Sequence, residues 1–87
     1  MKVQALVARN LRRLRVRQNL SQESLAVDAG VDLSYVSRLE RGLENPTVGI
    51  LERLGRALNV EIVEFFVVPA KGEPPPKPLR AGRRPQN

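Results

Sequence analysis

Side chains that could bind a ligand are concentrated in one short segment, LSYVSRLERG, at residues 33–42. Ser34 and Ser37 carry hydroxyls that donate and accept hydrogen bonds, and Arg38 carries a planar guanidinium. A guanidinium can donate two parallel hydrogen bonds to O6 and N7 of guanine, and hydroxyls can bond to bases or phosphates. These residue types favour recognition of a polar, anionic surface over a covalent reaction.

Groups that most catalytic and metal sites need are missing from the sequence. Its 87 residues include no His and no Cys, which excludes imidazole and thiol catalysis, disulfides and the usual zinc sites. We find no phosphate-binding glycine loop and no cluster of carboxylates. We therefore expect no enzyme activity, no cofactor and no metal.

Charge is distributed unevenly along the chain. Residues 1–20 contain six basic residues and no acidic one, residues 21–70 contain four basic and eight acidic residues, and residues 71–87 contain five basic residues and one acidic residue. This asymmetry is typical of a protein with a polyanionic partner, and nucleic acid is a better candidate than a membrane surface. Judged from charge alone, basic residues that serve only to keep the protein soluble are an equally good explanation. No apolar run approaches the roughly 20 residues that span a bilayer, so we expect a cytoplasmic protein without a membrane partner.

Apolar spacing and capping residues predict four helices in the first 60 residues. The first spans Val3–Arg17, with Val3, Leu6, Val7, Leu11 and Leu14 on one face. The second follows the N-cap Ser21 to about residue 29, and the third follows the N-cap Asp32 from residue 33 to about residue 41. The fourth follows the N-cap Thr47 over residues 48–58 and should bury four residues, Val48, Leu51, Leu54 and Leu58.

The composition changes after the fourth helix. Residues 61–66 fit a short amphipathic helix, which we prefer. A strand is the alternative, because several of these residues are β-branched or aromatic. From residue 71 onward Pro, Gly and basic residues dominate, which predicts disorder because too little apolar surface can be buried. The sequence therefore predicts a helical domain at residues 1–69 and a disordered basic tail at residues 70–87.

The second and third predicted helices meet the packing requirements of a helix-turn-helix unit. Ala26 supplies a small residue where the helices cross, Gly30 tolerates a positive φ in the turn, and Val36 supplies an apolar side chain that returns to the first of the two helices. The three matches together predict two short helices that cross at a steep angle.

The segment at residues 11–60 resembles the lambda-repressor-like, XRE-type (Cro/C1-type) helix-turn-helix DNA-binding domains. The motifs that carry the resemblance are LRRLR, LSQESLA, YVSRLERG, NPT and LGRALNV. The resemblance implies an all-α, five-helix domain whose third helix lies in the major groove of double-stranded DNA. It also implies a two-fold homodimer on a palindromic operator.

Helical spacing assigns the candidate DNA-binding residues of the third helix. Its outward positions are Leu33, Ser34, Ser37, Arg38 and Arg41. The resemblance adds Gln22, which would contact phosphate and brace the third helix, and Tyr35, whose hydroxyl would meet phosphate or whose ring would pack. Arg41 and the loop that ends at Asn45 are expected to contact phosphates. Glu44 departs from the basic residue common in that loop, so we expect the loop to lie farther from DNA.

The same resemblance assigns structural roles to two further sets of residues. Glu40 lies on the inner face of the third helix and is expected to form an ion pair with Arg15 of LRRLR. Dimers of the family form around the last helix, so Ile62, Phe65 or Phe66 is expected at a self-complementary interface. Packing of these residues in the core is the alternative.

Two classes of function remain open from the sequence. The first is a sequence-specific DNA-binding transcriptional regulator that acts as a homodimer. The second is a protein-interaction module, such as an antitoxin component that binds a partner protein. The basic tail is the only segment that could wrap a partner, and it lacks the apolar anchors that such segments use.

Overall fold

Four α-helices and a short 3₁₀ helix make up the computed structural model, which describes residues 2–77. The elements are α1 (Val3–Arg17), α2 (Gln22–Ala29), α3 (Leu33–Glu40), α4 (Val48–Leu58) and the 3₁₀ helix Ile62–Phe66. Between residues 2 and 77 no strand is present, so the all-helical prediction is confirmed and the segment left open between helix and strand is a 3₁₀ helix. Over the same residues, no helix is both long enough and apolar enough to cross a membrane.

Local capping chemistry sets most of the helix ends. Ser21 Oγ accepts a hydrogen bond of 2.9 Å from the Ser24 amide, and Thr47 Oγ1 accepts one of 3.1 Å from the Ile50 amide. Asn59 ends α4 in the left-handed conformation, with φ of 57°. Asp32 occupies the N-cap position of α3 as predicted, but its side chain makes no capping hydrogen bond.

The core lies between the helices and is almost entirely aliphatic. Leu11, Leu14, Leu25, Leu39 and Leu54 are among its fully buried residues, and Phe65 of the 3₁₀ helix completes it. Packing of this kind, rather than intrinsic helix propensity, stabilises helices as short as α2 and α3.

Val48, which the sequence predicts to be buried, and Val3, which it places on the apolar face of α1, are both exposed. Val3 is 63% and Val48 74% exposed because each is the first residue of its helix and so lies at the end of the helical face that packs on the core. The prediction of burial was therefore wrong for Val48, although it was right for Leu51, Leu54 and Leu58.

Asn10, a buried polar residue of α1, ties that helix to the C-terminal part of the domain. Its Nδ2 lies 2.9 Å from the carbonyl oxygens of both Phe65 and Val67, and its Oδ1 accepts a hydrogen bond of 3.0 Å from Arg13 Nε. The amide thus meets carbonyls that the short 3₁₀ helix leaves without a helical partner.

The last described residues return towards α1. Arg9 Nη2 lies 3.2 Å from Glu73 Oε2 and 3.0 Å from the Pro74 carbonyl oxygen, and Glu73 Oε1 accepts a hydrogen bond of 2.9 Å from the Ala70 amide. The division of the chain at residues 69 and 70 stays a prediction. The basic residues Arg80, Arg83 and Arg84 lie outside the described range.

Candidate nucleic-acid interface

The turn between α2 and α3 fixes the angle at which α3 leaves the body of the domain. Ala26 and Val36 are buried on the two sides of the turn. Gly30 has a φ of 71°, and the Val31 amide donates a hydrogen bond of 3.0 Å to the Ala26 carbonyl oxygen. From α4, Arg53 Nη2 donates a hydrogen bond of 2.8 Å to the Gly30 carbonyl oxygen. The turn is therefore held both by its own backbone and by a side chain of α4.

The outward face of α3 carries side chains that can reach a ligand. Leu33, Ser34 and Arg38 are exposed, as is Arg41 directly after the helix, and Ser37 is half-buried. Residues 34, 38 and 41 follow the helical repeat, so they project from one side of the domain. On the opposite side of the helix, Val36, Leu39 and Glu40 face the core.

Glu40 joins three helices beneath this face. Its Oε2 accepts a hydrogen bond of 2.6 Å from Arg15 Nε, and its Oε1 accepts one of 3.0 Å from Arg15 Nη2. Gln22 Nε2 and Arg12 Nε also approach Oε1, at 3.1 and 3.4 Å. Arg15 directs its remaining amino group, Nη1, to the Leu20 carbonyl oxygen at 2.7 Å. The carboxylate is thus fully compensated, as a buried charge requires.

Gln22 lies at the start of α2 and spans the space between the exposed surface and this buried cluster. Its side-chain amide contacts Glu40, so it braces the third helix. It remains half-buried rather than enclosed. Its contact with a DNA phosphate stays a prediction.

Arg38 forms an ion pair that sequence reasoning did not anticipate. Its Nε donates a hydrogen bond of 2.7 Å to Glu44 Oε2 in the loop that follows α3. The available signal was the acidic residue six positions after Arg38, beyond a glycine that can reverse the chain. Gly42 does so with a φ of 75°.

Tyr35 lies next to this pair and is half-buried at the edge of α3. Burial raises the pKa of its phenol above the ordinary value, and the nearby Glu44 carboxylate raises the pKa further. The phenol therefore stays protonated at neutral pH and keeps its hydrogen-bond donor.

The predicted interface residues near the C-terminus divide into a core group and a surface group. Phe65 is fully buried in the core of the monomer, so its side chain has no surface that a second copy could contact. Its assignment to a dimer interface is therefore corrected to the alternative, packing in the core. Ile62 is half-buried and Phe66 is 41% exposed. Val63 and Val67, which the sequence reasoning did not single out, are also exposed.

Comparison with a known protein family matches the part of the chain that contains this site. The helix-turn-helix family model HTH_3 matches residues 11–65. That range includes α2, α3 and α4 completely, together with the second half of α1.

Individual proteins show the same similarity. The chain is 43% identical over 65 residues to the uncharacterized HTH-type transcriptional regulator y4dJ of Sinorhizobium fredii, covering 75% of this chain and 84% of that protein. It is 40% identical over 62 residues to the HTH-type transcriptional regulator SlrR of Bacillus subtilis, covering 70% of this chain but only 41% of that longer protein. The crystal structure of the restriction-modification controller protein C.AhdI from Aeromonas hydrophila superposes with a TM-score of 0.71 at 40% identity, over 72% of this chain and 96% of that one.

Proposed function

The chain belongs to the helix-turn-helix family, and from that membership we propose that it is a sequence-specific, DNA-binding regulator of transcription. The position of α3 is the observation that supports DNA binding at this site. A polar, basic face on α3 projects outward while the buried Arg15–Glu40 pair holds the same helix to α1. A rigidly held helix with donors on its free face is what major-groove recognition requires.

Direct reading of bases would be carried by the outward side chains of α3. Arg38 would donate to O6 and N7 of guanine, a contact worth about 1–3 kcal/mol of discrimination. Ser34 and Ser37 would bond to bases or phosphates, and Leu33 would meet a thymine methyl group. Their exposure or partial exposure supports these roles.

Contacts with phosphates would set the register of α3 without reading sequence. Arg41 and Asn45 are both exposed at the end of α3 and in the following loop. Gln22 and Tyr35 lie at the edges of the same surface and would contribute an amide and a hydroxyl. The excess of basic over acidic residues in the whole chain would add long-range attraction to the polyanion.

A homodimer on a palindromic operator is the arrangement we propose for binding. Two copies related by a two-fold axis would place their α3 helices in successive major grooves about one helical turn apart. Exposed apolar side chains at the 3₁₀ helix, Val63, Phe66 and Val67, support an interface there. We propose that the 3₁₀ helix corresponds to the fifth helix of the five-helix domain, after the four α-helices.

Selection of bound DNA from a random duplex pool tests this function. We expect an enriched palindrome, whose half-sites contain a guanine that Arg38 reads. Recovery of only salt-sensitive, sequence-blind binding would contradict the proposal and would favour a module that binds a partner protein.

A further inference from the structure

The Arg38–Glu44 ion pair lies on the face that we propose reads DNA. The guanidinium side chain is 49% exposed and the carboxylate side chain 26% exposed. Only Nε of Arg38 is engaged: among the residues the structure describes, the contact with Glu44 is the one side-chain hydrogen bond that Arg38 makes. The two terminal amino groups remain available to an external acceptor.

The loop that carries Glu44 is fixed to two helices. The Leu43 amide donates a hydrogen bond of 3.0 Å to the Arg38 carbonyl oxygen, which closes the loop onto α3. Gln4 Nε2 of α1 donates a hydrogen bond of 3.2 Å to the Glu44 carbonyl oxygen. The carboxylate is therefore held at a defined position relative to α3.

We propose that Glu44 is a specificity-determining residue, which positions Arg38 for guanine and disfavours binding to DNA that lacks this base. The inference rests on the proposed function and extends it to a residue that contacts no base itself.

The positioning role follows from the shape of the guanidinium. An arginine can make a bidentate contact either with Nε and one terminal nitrogen or with both terminal nitrogens. Because Glu44 occupies Nε, the second geometry is the one left for O6 and N7 of guanine. A long side chain held in one orientation also loses less conformational entropy when it binds.

The discriminating role follows from charge. Non-specific binding is driven almost entirely by attraction between basic side chains and phosphates. Because Glu44 neutralises the Arg38 guanidinium, this arginine adds little net attraction to phosphates, and its contribution to binding is confined to sites where its terminal nitrogens meet O6 and N7 of guanine. Specificity is the difference between the two affinities, so a carboxylate that lowers only the non-specific one raises it.

The experiment compares wild type with Glu44→Ala, Glu44→Gln and the control Glu52→Gln. Glu52 is an exposed acid of α4 whose one ion pair among residues 2–77 is with Arg56 at i, i+4, so its substitution changes the net charge by the same amount away from α3. Each purified protein is assayed for duplex selection and for affinity to the selected and to a random duplex at several salt concentrations. Circular dichroism verifies that each variant is folded.

We expect Glu44→Ala to lower the preference for the selected guanine by about three- to tenfold, a part of what a bidentate arginine–guanine pair supplies. We expect both Glu44 variants to bind random duplex roughly two- to fivefold more tightly at low salt, because one repulsive charge is gone. Glu52→Gln should leave base preference unchanged.

A double variant separates action through Arg38 from a general charge effect. In an Arg38→Ala background, Glu44→Ala should no longer alter base preference, since the side chain that it positions is absent. Unchanged base preference in Glu44→Ala, or an equal loss with and without Arg38, would overturn the inference while leaving the proposed function intact. Failure of the wild-type protein to select any sequence would overturn both.

Discussion

Arg15 and Glu40 join α1 to α3 through two hydrogen bonds, 2.6 Å from Nε and 3.0 Å from Nη2, and both residues are buried. Removing two charges from water is costly, and their attraction repays the cost only when every donor and acceptor is satisfied. Gln22, Arg12 and the Leu20 carbonyl complete that set. We interpret the pair as fixing the orientation of α3.

Substitution Arg15→Ala should lower the free energy of unfolding by about 3–5 kcal/mol, because the Glu40 carboxylate stays buried without its main partner. Urea denaturation followed by circular dichroism measures the change. Arg56→Ala is the matched control, since it breaks an exposed i, i+4 pair worth only about 0.3–0.5 kcal/mol. An Arg15→Ala protein as stable as the Arg56→Ala protein would contradict the structural role.

Gly30→Ala tests the turn. A non-glycine residue in the left-handed region costs roughly 1–2 kcal/mol, and Gly30 has a φ of 71°. An added Cβ would also lie 2.9 Å from Arg53 Nη2, which must then shift and weaken its bond to the Gly30 carbonyl.

Gly42→Ala is the control for that comparison. Gly42 has a similar φ of 75°, but in the described part of the chain nothing lies within 4 Å of its added Cβ. We therefore expect Gly30→Ala to be the more destabilising of the two in thermal denaturation. In an Arg53→Ala background the two costs should become equal, and a larger cost for Gly42→Ala would refute the explanation.

The helix boundaries could be predicted from the sequence because capping is a local interaction. Ser21, Thr47 and Asn59 end or begin helices through contacts with residues at most four positions away. The packing of α2 against α3 was also predictable, since Ala26, Gly30 and Val36 lie within eleven consecutive residues.

Contacts between distant side chains could not be predicted in the same way. Asn10 meets carbonyl groups 55 and 57 residues later, and nothing in its local pattern indicates that it is buried. The contact of Arg38 with Glu44 depends on how the loop after Gly42 folds back. The exposure of Val48 depends on where its helix begins relative to the core, and apolar periodicity alone does not indicate this position.

Arg38→Ala should weaken binding to a selected operator by about tenfold or more, because a bidentate contact with guanine supplies about 1–3 kcal/mol. Its affinity for random duplex should fall less, since base contacts contribute little there. Fluorescence anisotropy with both duplexes measures the difference. Arg56→Ala removes the same charge from α4 and controls for electrostatics, and equal operator binding by wild type and Arg38→Ala would show that another residue reads the base.

Acidification should release the Glu73 side chain from its contacts. The hydrogen bond from the Ala70 amide, together with the Arg9 guanidinium, holds the pKa of this carboxyl below its ordinary value. A lowered pKa means that the contact is present above the ordinary pKa and is lost as the pH falls through the lowered one. The Ala70 amide chemical shift reports the transition by NMR, and a titration midpoint at or above the ordinary value would contradict the contact. Glu73→Gln is the control that should abolish the transition.

Glu44→Gln should lower the pKa of Tyr35 part of the way to its ordinary value. Burial is the larger cause of the raised pKa and persists in the variant, whereas the repulsion between phenolate and carboxylate is removed. The chain contains one Tyr and no Trp, so ultraviolet absorbance of the phenolate reports this residue alone. A raised tyrosine pKa stabilises the fold below the ordinary value, and that contribution is lost as the pH rises through the raised one, so circular dichroism must be recorded in parallel. Glu52→Gln should leave the midpoint unchanged, and an unchanged midpoint in Glu44→Gln would place the Glu44 carboxylate away from Tyr35.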